Sequence, residues 1–225
     1  MAYTFKESPY SSHARLLQAL PSHGDGRRVL DVGCGDGYLG KLLAERGYHV
    51  TGVEREGGFS SQFPTNVELV VADLESGLPV LPNSYDFVLC ADILEHLRYP
   101  DVLLRQIRRV LAPDGIVIAS LPNSGNVWFR ASIFLGHFPQ DEKGLFDRTH
   151  LRFFMWKGWQ RLFADSDFRI LSVEPTSIPV SLVVPPRWAG SLAVHWAESV
   201  CYGLAGIRKT LFAYQFVIRA EPQQK

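Results

Sequence analysis

The chain has 225 residues, 46% of them hydrophobic and 20% charged, and its 23 lysines and arginines are balanced by 23 aspartates and glutamates. That composition excludes a disordered or fibrous chain, fits one globular domain with a sizeable core, and offers no bulk charge to draw nucleic acid or an acidic partner. Cys34, Cys90 and Cys201 are odd in number and widely spaced, which fits reduced thiols in a cytoplasmic protein better than disulfides or a zinc site.

Residues 1–21 lack a basic start followed by a long apolar run, so no secretory leader is expected. Residues 11–20 read as a short helix capped by Ser11 or Ser12, followed by a turn-rich loop. Strands are expected at 29–32, 49–54, 67–72, 85–90 and 115–120, where valine, isoleucine and leucine run without clean alternation, as in strands covered on both faces. Helices are expected at 38–46, stopped by Gly47, and at 101–111, with Leu103, Leu104, Ile107, Val110 and Leu111 on one face. The crossover 56–65 is short and glycine-containing, and 74–84 holds two prolines and no helical period. Strand and helix still alternate, which favours an α/β, doubly wound and mostly parallel sheet.

Residues 122–138 are apolar and aromatic and residues 139–149 polar and turn-rich, the pattern of a lid or acceptor-binding insertion, with most of its aromatic rings expected in the core. A helix at 156–165, a strand at 168–173 and a last strand at 211–219 follow. Between those two strands, Trp188, Leu192, Trp196, Val200, Leu204, Ile207 and Leu211 fall on one helical stripe. Packing against the sheet or a second copy is the ordinary reading of the stripe. Peripheral contact of 188–211 with a membrane or lipid-linked acceptor, near Arg208 and Lys209, is the other. His195, Glu198 and three glycines within 188–207 argue against a transmembrane span.

Between the first strand and the following helix lie Gly33, Gly35 and Gly37, where the backbone can approach a ligand at a helix N-terminus. Gly35 to Gly40 fits the dinucleotide pattern G-x-G-x-x-G, which keeps a nicotinamide-dependent enzyme as an alternative. Asp31, however, sets a carboxylate beside the glycines, where it suits an ammonium or sulfonium group and repels a pyrophosphate.

Five segments in order, 29–37 (VLDVGCGDG), 50–54 (VTGVE), 70–74 (VVADL), 85–97 (YDFVLCADILEHL) and 111–119 (LAPDGIVIA), resemble the motifs of class I S-adenosylmethionine-dependent methyltransferases. The resemblance implies a seven-stranded Rossmann-like sheet of order 3-2-1-4-5-7-6 with the last strand antiparallel, and S-adenosyl-L-methionine as cofactor. It implies Asp31, Gly33, Gly35 and Gly37 in the first cofactor motif, Glu54 on the ribose, Asp73 on the adenine amino group with the Leu74 amide nearby, and Ala91 or Asp92 at the methionine end. The block 147–154 (DRTHLRFF) resembles small bacterial methyltransferases found with polysaccharide enzymes, and the layout is similar to the quinone O-methyltransferases. One methyltransferase domain is expected: a cover at 1–27, a cofactor half at 28–121, an acceptor insertion at 122–154, and a C-terminal half carrying a helical insertion at 185–209.

The expected reaction is in-line methyl transfer to a small-molecule acceptor, chiefly a hydroxyl, with no metal and no nucleic acid, by a monomer or homodimer. A methyltransferase-fold partner without activity is a further alternative. A hydroxyl acceptor needs a base, and His150 is the first candidate, against a structural corner in which its ring holds a carbonyl. Asp92 competes as a catalytic residue, unless it orients the methionine ammonium, and His96 reads as structural or pocket-lining. His13 and His137 could cover the site. Arg148 and Arg152 either grip an anionic acceptor or pair with Asp141, Glu142 or Asp147. Cys34 is read as a small loop residue.

Overall fold

The computed structural model describes residues 8–223 apart from 139 and 143, so residues 1–7 of the expected N-terminal cover and those two positions of the insertion lie outside the described residues. Five strands run parallel: β1 (Arg28–Val32), β2 (His49–Glu54), β3 (Glu68–Val71), β4 (Tyr85–Ala91) and β5 (Leu111–Pro122). β6 (Phe168–Pro175) joins through β7 (Gln215–Pro222), which is antiparallel to both β5 and β6, and the order is 3-2-1-4-5-7-6 as expected.

The apolar strands are continuous because alternate residues feed two cores. Leu30, Val32, Val88, Cys90, Val117 and Ala119 face one side, and Val29, Phe87, Leu89 and Ile118 face the other. The second side is covered by α1 (Ser12–Ala19) and α2 (Tyr38–Glu45) through Leu16, Leu17, Leu39 and Leu43. Ser11 caps α1, its hydroxyl accepting from the Ala14 amide at 3.2 Å. The first side is covered by α3 (Pro100–Val110), whose Leu103, Leu104, Ile107 and Val110 face the sheet. Neither crossover, 56–65 or 74–84, contains a helix, as the sequence of the second suggests.

The insertion after β5 holds α4 (Val127–Phe134), and α5 (Trp156–Asp165) returns the chain to the sheet through the buried Trp159 and Phe163. After β6 come the short α6 (Val180–Val183) and α7 (Pro186–Ala189), then α8 (Leu192–Ile207) and α9 (Lys209–Phe212). Leu211 and Phe212 therefore belong to a helical turn, and the last strand begins at Gln215 rather than at 211. The turn persists because the side chains of Asn123 and Asn126 occupy its carbonyls: Asn123 Nδ2 donates to Ala213 O at 2.8 Å and Asn126 Nδ2 to the same oxygen at 2.9 Å.

Two expectations about burial are corrected. The stripe from Trp188 to Leu211 is divided among α7, α8 and α9, and it does not pack on the sheet: Leu192, Trp196 and Ile207 are 89%, 71% and 83% exposed. In the insertion, Phe129 and Phe146 are buried, but Trp128 and Phe134 are 63% and 89% exposed. Among the described residues, no helix is long and apolar enough to cross a membrane.

Asn126 caps α4, its Oδ1 accepting from the Trp128 amide at 2.9 Å, while its amide nitrogen holds α9. Asn126→Ala leaves the Trp128 amide without its cap and removes one of the two donors to the Ala213 carbonyl, and is expected to lower the unfolding free energy by roughly 1–3 kcal/mol, read from the urea midpoint.

Candidate active site

The C-terminal ends of β1, β2 and β4 open on a cavity of about 720 Å³, within the size range of small-molecule sites. Asp31, Gly33, Gly35, Glu54, Asp73, Leu74, Ala91 and Asp92 all line it. The parallel strands end level with one another and their loops turn away to either side, which is why residues from four distant segments meet here. Of the expected cofactor set, Gly37 is off the wall. It precedes α2 at φ +71°, and a Cβ there would stand 2.7 Å from the Phe63 ring, so packing requires the glycine. Gly35, at φ +53°, would find nothing within 4 Å of an added Cβ.

Asp31 is 1% exposed and neither of its carboxylate oxygens has a hydrogen-bond partner. Burial, and then the charge of Glu54, push its pKa up to about 7. An acid buried without a partner on the wall of an open cavity is matched by a cationic donor, and the ammonium of an amino-acid ligand fits that need. Glu54 accepts from the Gly35 amide at 2.8 Å and from the Arg55 amide at 3.0 Å. Asp73 Oδ1 accepts from the Glu75 amide at 2.9 Å. Each carboxylate oxygen can accept a second hydrogen bond, so both acids fit ribose hydroxyls or an adenine amino group.

At the other end of the cavity stand Asp92, Ile93, His96, Leu97, Asp147, Thr149 and Leu151. Asp92 has φ +52° and is held from the sheet: its Oδ1 accepts from Gln215 Nε2 at 2.9 Å and from the Ser120 hydroxyl, which itself accepts from the Asp92 amide at 3.0 Å. His96 Nδ1 lies 3.2 Å from the Thr149 carbonyl and 3.1 Å from its Oγ1, which donates to Asp147 Oδ1 at 2.6 Å. A carbonyl can only accept, so Nδ1 carries the proton and Nε2 is the acceptor nitrogen of the ring. Burial disfavours the Asp147 carboxylate, but hydrogen bonds from the Thr149 hydroxyl and amide outweigh it and hold its pKa below the usual value.

His150 is placed differently from its neighbour. It is not on the cavity wall; its ring packs edge-on against His96 with centroids 4.8 Å apart, and its Nε2 lies 3.9 Å from Glu95 Oε1. Burial, with a contribution from His96, lowers its pKa to about 4, which keeps the ring neutral near pH 7. Glu95, His96 and His150 have donor atoms within 4.8 Å of one another, the one such set among the described residues that could hold a metal ion.

The remaining candidates separate cleanly. His13, from α1, lines the cavity and His137 does not. Arg148 pairs with Glu142 at 2.8 Å, and Arg152 donates to the Arg98 carbonyl. Cys34 is on the wall, its thiol kept protonated by burial and by Asp31 and Glu54. Sequence reasoning missed Thr149, Ser120 and Gln215. Their only signal was a polar side chain at the end of an apolar strand or inside the 147–154 block.

Residues 6–173 match the family model described as a methyltransferase domain, and the chain belongs to that family. It is 35% identical over 111 residues to the ubiquinone biosynthesis O-methyltransferase of Aeromonas salmonicida, an alignment covering 44% of this chain and 44% of that relative. This chain thus matches less than half the length of that curated relative. In fold it is similar to a SAM-dependent methyltransferase from Archaeoglobus fulgidus, with 20% identity, TM-score 0.64, and 92% and 91% of the two chains covered. It is similar also to phosphoethanolamine N-methyltransferase 2 of Haemonchus contortus in complex with S-adenosyl-L-methionine, with 18% identity, TM-score 0.63, and 95% and 52% covered. S-adenosyl-L-methionine is the cofactor these matches support, and the Asp31 wall fits it.

An ammonium group binds the ionised form of Asp31, whose pKa is about 7. Affinity for S-adenosylhomocysteine is therefore expected to rise with pH up to about 7 and to fall roughly tenfold per unit below it. Calorimetry at pH 6 in buffers of different ionisation enthalpy should read close to one proton released per ligand bound. Asp31→Asn should abolish that release.

Proposed function

We propose that this methyltransferase moves a methyl group from S-adenosyl-L-methionine to the neutral hydroxyl of a small molecule, with a phenol-type hydroxyl as the acceptor class and His96 as the general base. The observation that carries the reading is the Asp147, Thr149 and His96 arrangement on the same cavity as Asp31. When bound, the cofactor supplies an electrophilic methyl carbon. Asp31 holds its ammonium, and Glu54 and Asp73 hold the nucleoside end. His96 takes the acceptor proton at Nε2, and the positive charge that develops on the ring is stabilised through Thr149 by the Asp147 carboxylate. Asp92, anchored by Ser120 and Gln215, fixes the wall between the two ligands. Ile93 and Leu97 give the reacting centre an apolar wall that limits water.

The phenol class rests on the likeness to a ubiquinone biosynthesis O-methyltransferase and on the acidic side chains beside His96. Asp92 and Asp147 line the cavity beside His96; Arg148 and Arg152 are engaged elsewhere, and Arg55 and Arg98 stand on the same wall. The carboxylates of Asp31, Glu54 and Asp73 on the cavity wall disfavour a pyrophosphate, which speaks against the nicotinamide alternative.

Transfer of labelled methyl from the cofactor to a panel of phenols, catechols and sugar hydroxyls tests the reading. Label in a phenolic ether supports it. Intact binding of S-adenosylhomocysteine with no labelled ether from any of the panel overturns it. His96→Ala is expected to lower kcat by roughly a hundredfold or more with S-adenosylhomocysteine affinity nearly unchanged, and Thr149→Val by about tenfold. His150→Gln should keep most of the turnover; the reverse pattern would return the base to His150.

A further inference from the structure

Helix α8 has its amphipathic sense inverted. A helix that packs on its own domain turns its apolar face inward and its charged residues to water. In α8 the single charged residue, Glu198, is 3% exposed and points inward. Its carboxylate accepts from the Ser8 hydroxyl at 2.6 Å, the Ser181 hydroxyl at 2.8 Å and the Ser181 amide at 3.0 Å. The outward face carries Leu192, Trp196, Val200, Leu204 and Ile207, and Trp188 is exposed beside it on α7. The ring of Tyr202 stacks on Tyr10, with centroids 4.7 Å apart, and Arg15 lies over it, so the inner face is anchored while the outer face is left exposed by the described residues.

The second apolar helix adjoins the same region. Asn126, the cap of α4, donates to the carbonyl of Ala213 just after α9, and α9 continues from α8. Helix α4 and the turn after it expose Trp128, Ile133, Phe134, Leu135 and Phe138. Charge selects the occupant of this surface. Within α4 and residues 180–212 the charged side chains are Arg130, Arg187, Glu198, Arg208 and Lys209. Glu198 is buried, Lys209 Nζ donates to the Val173 carbonyl and Arg130 Nε to the Gly125 carbonyl, so the exposed charges left on these elements without such a contact are Arg187 and Arg208. Exposed tryptophans and aliphatic side chains rimmed by cations match the interfacial zone of an anionic bilayer. Against a second copy, the arginine rims would face one another. At 16 residues α8 is about 24 Å long, fit to lie in the membrane plane rather than to cross it.

We propose that α8, with α7 and α4, docks this protein peripherally on an anionic lipid surface. The α7 and α8 part of the docking surface lies beyond residue 173, where the family match ends, and the surface does not depend on which acceptor is methylated. The full chain is mixed with vesicles of phosphatidylcholine alone or with about one third phosphatidylglycerol, and sedimented. Binding is expected to the anionic vesicles, with tryptophan emission shifted to the blue and quenched by brominated lipid. Leu192→Ser together with Trp196→Ser should weaken binding by about tenfold or more, as should Arg187→Glu together with Arg208→Glu. Each pair should leave S-adenosylhomocysteine affinity unchanged, which shows that the variants fold. No vesicle binding, or binding that neither pair weakens, overturns the proposal. So does a concentration-dependent dimer, lost with the Leu192 and Trp196 pair, in a protein that ignores vesicles.

Discussion

The site depends on one uncompensated charge position. Asp31 sits at the end of the central strand, buried, with no donor for either oxygen, and Glu54 close enough to raise its pKa further. Such a group costs free energy unless something cationic completes it, so its persistence on a cavity wall defines what the cavity is for. The neighbouring glycines serve the same end. Gly35 keeps the wall open where a side chain would intrude, and Gly33 and Gly37 let the loop fold tightly against Ile93 and Phe63.

The wall around Asp92 and His96 is built by a different principle. No single segment contains it: Asp92 follows β4, Ser120 lies in β5, Gln215 opens β7, and Asp147 with Thr149 comes from the insertion. The insertion is docked by the backbone, since the Glu95 carbonyl accepts from the amides of both Leu151 and Arg152. That pair of hydrogen bonds brings Thr149 to His96 and sets the tautomer of the ring. The antiparallel β7 has a role here beyond closing the sheet, because its first residue reaches Asp92.

Much of the chain was legible from its sequence because the information is local or periodic. Two-sided burial produces long apolar strands, a serine before a helix caps it, and glycines mark a loop that approaches a ligand. The failures were of another kind. The stripe from Trp188 to Leu211 has helical spacing, but spacing does not say which way a face points. Here the polar inner contacts of Glu198 with Ser8 and Ser181 turn the apolar face outward. The aromatic insertion was misread in the same way: Phe129 and Phe146 stack in a small core while Trp128 and Phe134 of the same stretch are exposed.

The sequence by itself determined the α/β sheet through its alternating strands and helices, and the strand order through the resemblance its motifs carry, because each of those motifs sits on one strand end within a few residues. Only the tertiary structure sets His96 and His150 apart. They lie 54 positions apart and their rings touch, yet one lines the cavity with its Nδ1 bound to Thr149 and the other is buried beside Glu95. Two histidines look alike in a sequence. What separates them is burial and the partner of each ring nitrogen, and those arise only when the insertion folds back onto the end of β4.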